Sequence, residues 1–143
     1  MIILDTNVLS EVMKPAPAAQ VLRWLAAYPA ARLFTTTIAE AEILYGLELL
    51  PEGKRRTALQ SAVEAMFEED FAGRILPFDE DAAGRFAKIA AARRAMGRPI
   101  TQFDAQVAGI ARSRGAALAT RNTSDFEHCG VRVVNPWRSE SAG

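Results

Sequence analysis

Acidic residues follow two short apolar runs of this chain. Asp5 comes directly after Ile2–Leu4, and Asp125 lies a few residues beyond Ala117–Ala119. If both runs are parallel strands, their carboxyl ends share one edge of a sheet, which is where ligands bind in open parallel sheets. A carboxylate buried there is costly unless hydrogen bonds or an opposite charge compensate it. The pattern therefore indicates a ligand site built from carboxylates that are distant in sequence.

Helix capping is a competing role for both acids. Asp is a favoured N-cap residue, and Asp5 precedes a helical pattern that we expect over Asn7–Met13. In the same way, Ser124 or Asp125 could cap a short turn over Phe126–His128. The sequence leaves capping and ligand binding both open for Asp5, and it favours capping for Asp125 taken alone.

Asp104 stands near the start of a helix that we predict over Thr101–Arg114. Thr101 and Asp104 have the spacing of a capping box. Asp104 also shares a small, apolar helix face with Ala108 and Ala111, and the N-terminus of a helix stabilises an anion. Capping and metal binding are compatible roles for this carboxylate.

A predicted helix over Thr36–Leu50 carries Glu40, Glu42 and Glu48, of which Glu40 and Glu42 are the candidates for the site. Apolar residues flank both, so helical periodicity does not decide which one points inward. Gly46 lies one turn beyond Glu42, and a glycine destabilises a helix interior by roughly 1 kcal/mol relative to alanine. The glycine could leave room for a ligand or allow close helix packing, and both interpretations stay open.

Short apolar runs alternate with longer helical patterns along the chain, which is typical of a parallel sheet with helices on both faces. The predicted strands are Ile2–Leu4, Leu33–Thr35, Arg74–Leu76, Ala117–Ala119 and Val131–Val134. The remaining predicted helices are Ala18–Ala27, Arg55–Phe67 and Glu80–Met96. We therefore predict one three-layer α/β/α domain over residues 1–137, with a central, mostly parallel sheet of about five short strands. Residues 138–143 are expected to form a flexible tail.

Composition excludes several classes of protein. Half of the 143 residues are hydrophobic, which speaks against disorder. No apolar run approaches the ~18 residues of a membrane span and no signal peptide is visible, so we expect a cytoplasmic protein. The single cysteine, Cys129, excludes an internal disulfide framework. Basic and acidic residues both total 17, which gives no global sign of nucleic-acid binding, although a local basic rim stays open. Arginine clusters, among them Arg93-Arg94 with Arg98 and the set Arg112, Arg114 and Arg121, are interpreted as solvated helix faces and ends in preference to a substrate track.

Five segments of the sequence resemble the PIN-domain ribonucleases, and most closely the VapC toxins of bacterial toxin–antitoxin pairs, including their FitB-like branch. In chain order the segments are ILDTNVLSE, TIAEAEILYG, ILPFDEDAA, GRPITQFDAQVAGIA and LATRNTSDFEHCGVRVVNPW. Any one of them would be a weak signal, but their order and spacing agree over nearly the whole chain. The fold that the resemblance implies is a PIN-like domain.

The resemblance implies a catalytic site of four acids: Asp5, Glu42, Asp104 and Asp125. It thereby selects Glu42 over Glu40. Crowded carboxylates raise one another's pKa, and a hard divalent cation held by oxygen ligands, Mg²⁺ or Mn²⁺, resolves the conflict. Asp5 and Asp104 are the expected metal ligands. Glu42 and Asp125 are then expected to bind a second ion or to orient and deprotonate water.

Three polar residues near these acids carry further expectations from the resemblance. Asn7 and Thr120 match positions that support the acid cluster by hydrogen bonding. Some relatives place an acid at the position of Asn122, where this chain has a neutral amide. Asp125 is therefore the expected fourth acid.

The activity implied by the resemblance is metal-dependent hydrolysis of RNA, possible substrates being tRNA and rRNA, with 5′-phosphate and 3′-hydroxyl products. A mechanism based on a histidine pair is excluded because His128 is the only histidine. The resemblance also implies a VapB-like antitoxin that covers the acid site and an apolar groove, and a homodimer.

Other functions fit the sequence less well. A catalytically weak PIN module that binds RNA or DNA with a partner protein would be expected to have a broken acid set, whereas all four acids are present. A related nuclease that acts on DNA or on flap structures stays open. A haloacid dehalogenase-type phosphatase needs Asp-x-Asp after the first strand, and Asp5-Thr6-Asn7 lacks the second aspartate.

Overall fold

Short strands alternate with helices in residues 1–138, which are the residues that the computed structural model describes. The strands are β1 (Ile2–Leu4), β2 (Leu33–Thr36), β3 (Ile75–Leu76), β4 (Ala117–Ala119) and β5 (Val133–Val134). The helices are α1 (Thr6–Val12), α2 (Ala19–Ala26), α3 (Thr37–Glu48), α4 (Lys54–Ala65), α5 (Glu80–Ala95) and α6 (Gln102–Arg114). Shorter helical turns span Ala30–Arg32, Met66–Asp70 and Thr123–Phe126.

The strands form one parallel sheet in the order β3-β2-β1-β4-β5. The central strand β1 pairs on one side with β2, where Ile3 faces Phe34, and on the other with β4, where Ile3 faces Leu118. The chain winds outward from β1 in one direction to β3, and then returns to the other side for β4 and β5. Such a reversal opens a crevice beyond the carboxyl ends of β1 and β4, which is the usual ligand site in this architecture.

Two hydrophobic cores lie on opposite faces of this sheet. Successive strand residues point to opposite faces, so Ile2 and Leu4 pack with residues of α1 to α4, whereas Ile3 packs with α5 and α6. All three side chains of β1 are buried. The predicted three-layer α/β/α fold with a five-stranded sheet is confirmed, and the sheet is parallel throughout.

Helices α5 and α6 approach each other closely at Gly109. A Cβ atom on this residue would lie 2.8 Å from the carbonyl oxygen of Ala82 and 3.0 Å from the amide nitrogen of Phe86. Only glycine fits so near a neighbouring backbone. This contact fixes α6, and with it the Asp104 main chain, against α5.

Several predicted element boundaries are wrong by a few residues. The last strand was predicted over Val131–Val134, but only Val133–Val134 pairs with β4. The helix predicted over Arg55–Phe67 changes at Met66 into a wider π-helical turn, in which the Phe71 amide donates to the Met66 carbonyl at 2.9 Å. This turn accompanies burial of Met66, Phe67 and Phe71 in one core.

Two further expectations concern the tail and the membrane. Residues 139–143 of the predicted flexible tail lie outside the described residues. In residues 1–138, no helix is long and apolar enough to cross a membrane.

Candidate active site

Asp5 lies at the carboxyl end of β1 and is 7% exposed. Its amide donates to the Ala119 carbonyl of β4 at 3.0 Å, which ties the residue to the sheet. One carboxylate oxygen accepts the Thr6 N–H at 2.9 Å, and the other accepts the Thr120 hydroxyl at 2.9 Å. Asp5 therefore does cap α1, and capping leaves its second oxygen oriented by a different part of the chain.

Thr120 is the centre of a small hydrogen-bond network behind Asp5. This side chain is fully buried. Its hydroxyl oxygen accepts from the Asn7 amide at 3.1 Å and from the Asn122 main-chain N–H at 3.2 Å, while its hydroxyl hydrogen goes to Asp5. The Asn7 side-chain oxygen accepts the Arg121 N–H at 3.1 Å. Asn7 and Thr120 therefore link β1 and α1 to the loop after β4.

A cavity of about 460 Å³ opens beyond this network. Its wall contains three of the four expected acids, Asp5, Glu42 and Asp104, together with Asn122. In the described part of the chain, Glu40 does not line the cavity. The structure thus brings together carboxylates from β1, α3 and α6.

Threonine caps start the two helices that deliver Glu42 and Asp104. The Thr36 hydroxyl accepts the Ala39 N–H at 3.1 Å, and the Thr101 hydroxyl accepts the Asp104 N–H at 3.2 Å. The capping role is therefore filled by Thr101, and the Asp104 carboxylate lines the cavity. Both acids are half-buried, so they are shielded from bulk water but reachable through the cavity.

Burial is the first cause that raises the pKa of each of the three cavity acids. The negative charges of Asp5 and Asp104 raise the pKa of Glu42 further, and those of Asp5 and Asp125 do the same for Asp104. Hydrogen bonds from Thr6 and Thr120 lower the pKa of Asp5 but do not overcome its burial. The cluster is therefore short of positive charge.

Asp125 is placed differently from the other three acids. It lies on the exposed turn Thr123–Phe126 and is not part of the cavity wall among the described residues. Its negative charge nevertheless raises the pKa of Asp5, so it lies within electrostatic range of the cluster. The predicted capping role of Ser124 or Asp125 is wrong, because the turn starts earlier and Asn122 occupies the N-cap position without a side-chain cap bond.

Residues 2–130 match the PIN domain family. The chain belongs to this family. It is 42% identical over 137 residues to VapC ribonuclease Y4jK of Sinorhizobium fredii, covering 96% of this chain and 98% of that protein. Toxin FitB of Neisseria gonorrhoeae is 38% identical over 137 residues, covering 96% and 99% of the two chains. The structure of FitAB bound to an IR36 DNA fragment contains a chain that superimposes with a TM-score of 0.92 at 37% identity, covering all of both chains.

The donor chemistry of this PIN domain fits a hard divalent cation. Within residues 1–138, no three acidic, histidine or cysteine side chains converge closely enough to enclose a metal ion. Mg²⁺ does not need such a cage, since it typically uses one or two carboxylates and keeps several waters. The Thr6 hydroxyl is buried on the cavity wall without a hydrogen-bond partner within 3.5 Å in the described chain, although it lies near enough to Glu42 to lower the pKa of that carboxyl. An ordered water or ion-bound water would satisfy it.

Gly46 resolves one question that the sequence left open. A Cβ atom there would meet nothing within 4 Å, so the glycine does not serve close helix packing. It lines an apolar groove of about 320 Å³ that begins at Glu42 and Thr6. In this PIN domain, the acid cavity and the apolar groove therefore adjoin.

Sequence reasoning placed no cation at the site itself. Lys14 and Arg121 line the acid cavity, and the Arg121 guanidinium lies 4.9 Å from the ring centroid of Trp137. Arg93, interpreted from sequence as part of a solvated helix face, is instead only 5% exposed. Its position in the last turn of a helix beside Arg94 gave no periodic signal that separates a buried arginine from a solvated one.

Proposed function

We propose that this PIN domain is a Mg²⁺- or Mn²⁺-dependent endoribonuclease and the toxin of a VapBC-type toxin–antitoxin pair. The observation that carries the proposal is that Asp5, Glu42 and Asp104, each with a raised pKa, line one cavity at the carboxyl edge of the sheet. Similarity over nearly the full chain to proteins named VapC ribonuclease and Toxin FitB supports it.

Each acid has a role that follows from its surroundings. Asp5 and Asp104 would hold the cation, since Asp5 is oriented by two hydrogen bonds and Asp104 lines the same cavity. Glu42 is half-buried with a raised pKa, which suits a group that accepts a proton from water. Asp125 adds negative charge from the exposed side. The cation, when bound, supplies positive charge that stabilises the attacking and leaving oxygens of a phosphodiester.

Two cations complement the phosphate groups of RNA. Lys14 and Arg121 are on the wall of the acid cavity, where Lys14 pairs with Glu11 at 3.1 Å, and both cations are placed to contact a phosphate that enters. Arg121 is held over Trp137, which leaves an arginine plane and an indole at the mouth of the site. Such planar groups stack with unpaired bases.

The reaction is tested with purified protein and total RNA. We expect cleavage with Mg²⁺ or Mn²⁺, no cleavage with excess chelator, and recovery when the metal is restored. The products should carry a 5′-phosphate and a 3′-hydroxyl, which end-labelling distinguishes. Equal activity in excess chelator would contradict the metal-dependent mechanism, and sequencing the cleaved ends identifies the RNA target.

The apolar groove beside the acids is the proposed seat of a VapB-like antitoxin. Its wall includes Met13, Ile43, Leu47, Leu59 and Val63. A partner segment lying in this groove would reach the acid cavity, where an arginine pairs well with carboxylates. We expect overexpression of the chain alone to arrest growth, and co-expression with the small protein encoded beside it to restore growth and to copurify. Normal growth with active, soluble chain would contradict the toxin assignment.

We also propose a homodimer. Tyr45 and Phe103 are large, exposed side chains at 66% and 56%, and both line an apolar depression with Ala41 and Glu42. A second copy of the chain would remove these rings from water. Light scattering during gel filtration measures the mass, and Tyr45→Ser with Phe103→Ser should convert a dimer to a monomer.

A further inference from the structure

Arg93 is a buried cation that the proposed chemistry does not use. It lies in the last turn of α5 and is 5% exposed, whereas its neighbour Arg94 is exposed. Its Nε donates to the Arg98 carbonyl at 2.7 Å, and its Nη1 donates to the carbonyls of Asp125 and Glu127, both at 2.9 Å. The same Nη1 lies 3.6 Å from the Cys129 sulfur. Most of its contacts therefore go to the loop that carries Asp125.

The partners of Arg93 in residues 1–138 are main-chain carbonyls and a thiol, and no ion pair with a carboxylate is formed. Burying a guanidinium without an opposite charge is costly unless its donors are satisfied. A hydrophobic residue would fill the same space in α5 without that cost. The arrangement therefore requires a reason beyond packing.

The structure of the loop that carries Asp125 indicates why a buried arginine contact is useful there. Its 3-10 turn, Thr123–Phe126, has no side-chain cap, and Asp125 is exposed. Phe126 and Cys129 are its buried anchors, but both are at or beyond the end of the turn. An exposed ion pair between Arg98 and Glu127 also ties the loop to the end of α5, and such pairs contribute little. Arg93 thus holds the Asp125 main chain directly from α5, in addition to the bond within the turn from the Asp125 N–H to the Asn122 carbonyl at 3.1 Å.

We propose that Arg93 is a positioning residue that fixes the loop of residues 122–129 and so holds Asp125 at the edge of the acid cavity, within electrostatic range of Asp5 and Asp104. This inference rests on the proposed nuclease function. The carbonyl of Asp125 is held, and the side chain remains free to act. Arg93 also places a positive charge near the cluster, as seen in its lowering of the pKa of Asp104.

The test compares Arg93→Met with Arg94→Met, which removes an exposed arginine from the same helix. We expect Arg93→Met to lower kcat for RNA cleavage up to about tenfold, the lower end of the range for outer-shell partners of a metal site and no more than the loss from Asp125→Asn, with KM changed less than about threefold. Arg94→Met should keep the wild-type kcat. Arg93→Lys retains the charge and part of the donor set, and should recover part of the lost kcat.

A double-mutant cycle with Asp125→Asn separates positioning from general destabilisation. If Arg93 acts through Asp125, Arg93→Met should lower kcat less than about twofold further in the Asp125→Asn background. The same fold-loss in both backgrounds would overturn the proposal, as would an Arg93→Met enzyme with wild-type kcat.

Amide hydrogen exchange on the full chain tests the contact between Arg93 and the loop without relying on nuclease activity. Arg93→Met should speed exchange in residues 122–129 selectively, and Arg94→Met should not. Unchanged exchange in this loop would overturn the proposal that Arg93 fixes it. A wild-type protein that cleaves no RNA under any metal condition would instead contradict the proposed function, while the exchange experiment still decides whether Arg93 fixes the loop.

Discussion

Asp5 and Asp125 show two different ways in which one domain places an acid. Asp5 ends the central strand, is buried, and has both carboxylate oxygens hydrogen-bonded. The Asp125 side chain is exposed on a short turn, and the Asp125 main-chain carbonyl accepts a hydrogen bond from Arg93. The first acid is oriented through its side chain and the second through its backbone.

This difference has a chemical consequence. A buried carboxylate with fixed oxygens suits direct binding of a cation, because its geometry does not have to be created when the ion arrives. A carboxylate that is solvated and free to rotate can adjust to a second ion, to water or to substrate. The site therefore combines one rigid acid with one adaptable acid, and the two should differ in how much activity their removal costs.

The largest effect should come from Asp5→Asn. Asparagine keeps the shape and can still accept the Thr6 N–H, but it removes the negative charge that is to face the cation. We expect kcat/KM for RNA cleavage to fall at least 10²–10³-fold, about the cost of losing one preorganised electrostatic contact. Asp125→Asn should cost only about tenfold, in the range for supporting groups. Equal losses in a steady-state assay would contradict the distinction between the two acids.

Thr120→Val tests whether the orientation of Asp5 matters apart from its charge. Valine has nearly the same shape but cannot donate to the Asp5 carboxylate, so we expect activity to fall about 10–100-fold. Thr35→Val is the matched control, because Thr35 is equally buried but donates its hydroxyl to the Leu4 carbonyl at 3.0 Å. Both variants should lose stability in thermal melts, and only Thr120→Val should lose most of its activity. Similar activities for the two variants would show that Thr120 is structural.

Asp5 and Asp125 also differ in how far the sequence could predict them. Asp5 follows a short apolar run, so its place at a strand end is evident from local pattern alone. The same holds for Asp104, whose helix start is marked by Thr101 three residues earlier. The alternation of apolar runs and helical patterns likewise predicts the layers and the parallel sheet, because hydrophobic periodicity is a property of each segment.

Contacts between distant segments were beyond local pattern. Nothing near Arg93 indicates that its guanidinium will meet carbonyls more than thirty positions away, at Asp125 and Glu127. Glu40 and Glu42 were not separable by periodicity, and family resemblance was needed to choose between them. The π-helical turn at Met66 depends on tertiary burial of Phe67 and Phe71, which no helix propensity describes.

Asn122 offers a finer test of which group completes the site. Its side chain lines the acid cavity, but its main-chain N–H is what bonds to Thr120. Asn122→Ala keeps that main-chain bond, so we expect a loss of activity below about threefold, smaller than for Asp125→Asn. A larger loss for Asn122→Ala would show that the Asn122 side-chain amide, rather than the Asp125 carboxylate, supports the reaction. Restoring a charge with Asn122→Asp in the Asp125→Asn background should recover activity if charge alone is required.

The smallest expected effect is a pH dependence of stability that belongs to the buried acids. The pKa values of Asp5, Glu42 and Asp104 are raised in the folded chain above their ordinary values of 3.8 for Asp and 4.5 for Glu. In the pH range between the ordinary and the raised values, the folded chain therefore binds more protons than the unfolded chain. Stability from these groups is therefore present at low pH and lost as pH rises through that interval. Glu11, whose pKa is lowered first by the Ala18 N–H, acts in the opposite direction below its ordinary value of 4.5.

Melting curves of the metal-free protein at pH values rising from 4.5, the ordinary value for Glu, therefore report mainly on the buried acids, because Glu11 acts below that value. The wild-type Tm should fall more steeply with rising pH than that of Asp5→Asn, which has lost one of the three carboxyls whose pKa is raised. Parallel curves would show that Asp5 is no more strained by its burial than an ordinary carboxylate. Adding Mg²⁺ near pH 7 should raise the wild-type Tm, because an ion that binds only the folded state stabilises it, and should raise that of Asp5→Asn much less. Asp5 would then differ from Asp125 as a rigid acid whose burial destabilises the metal-free protein and which stabilises the protein when its ion is bound.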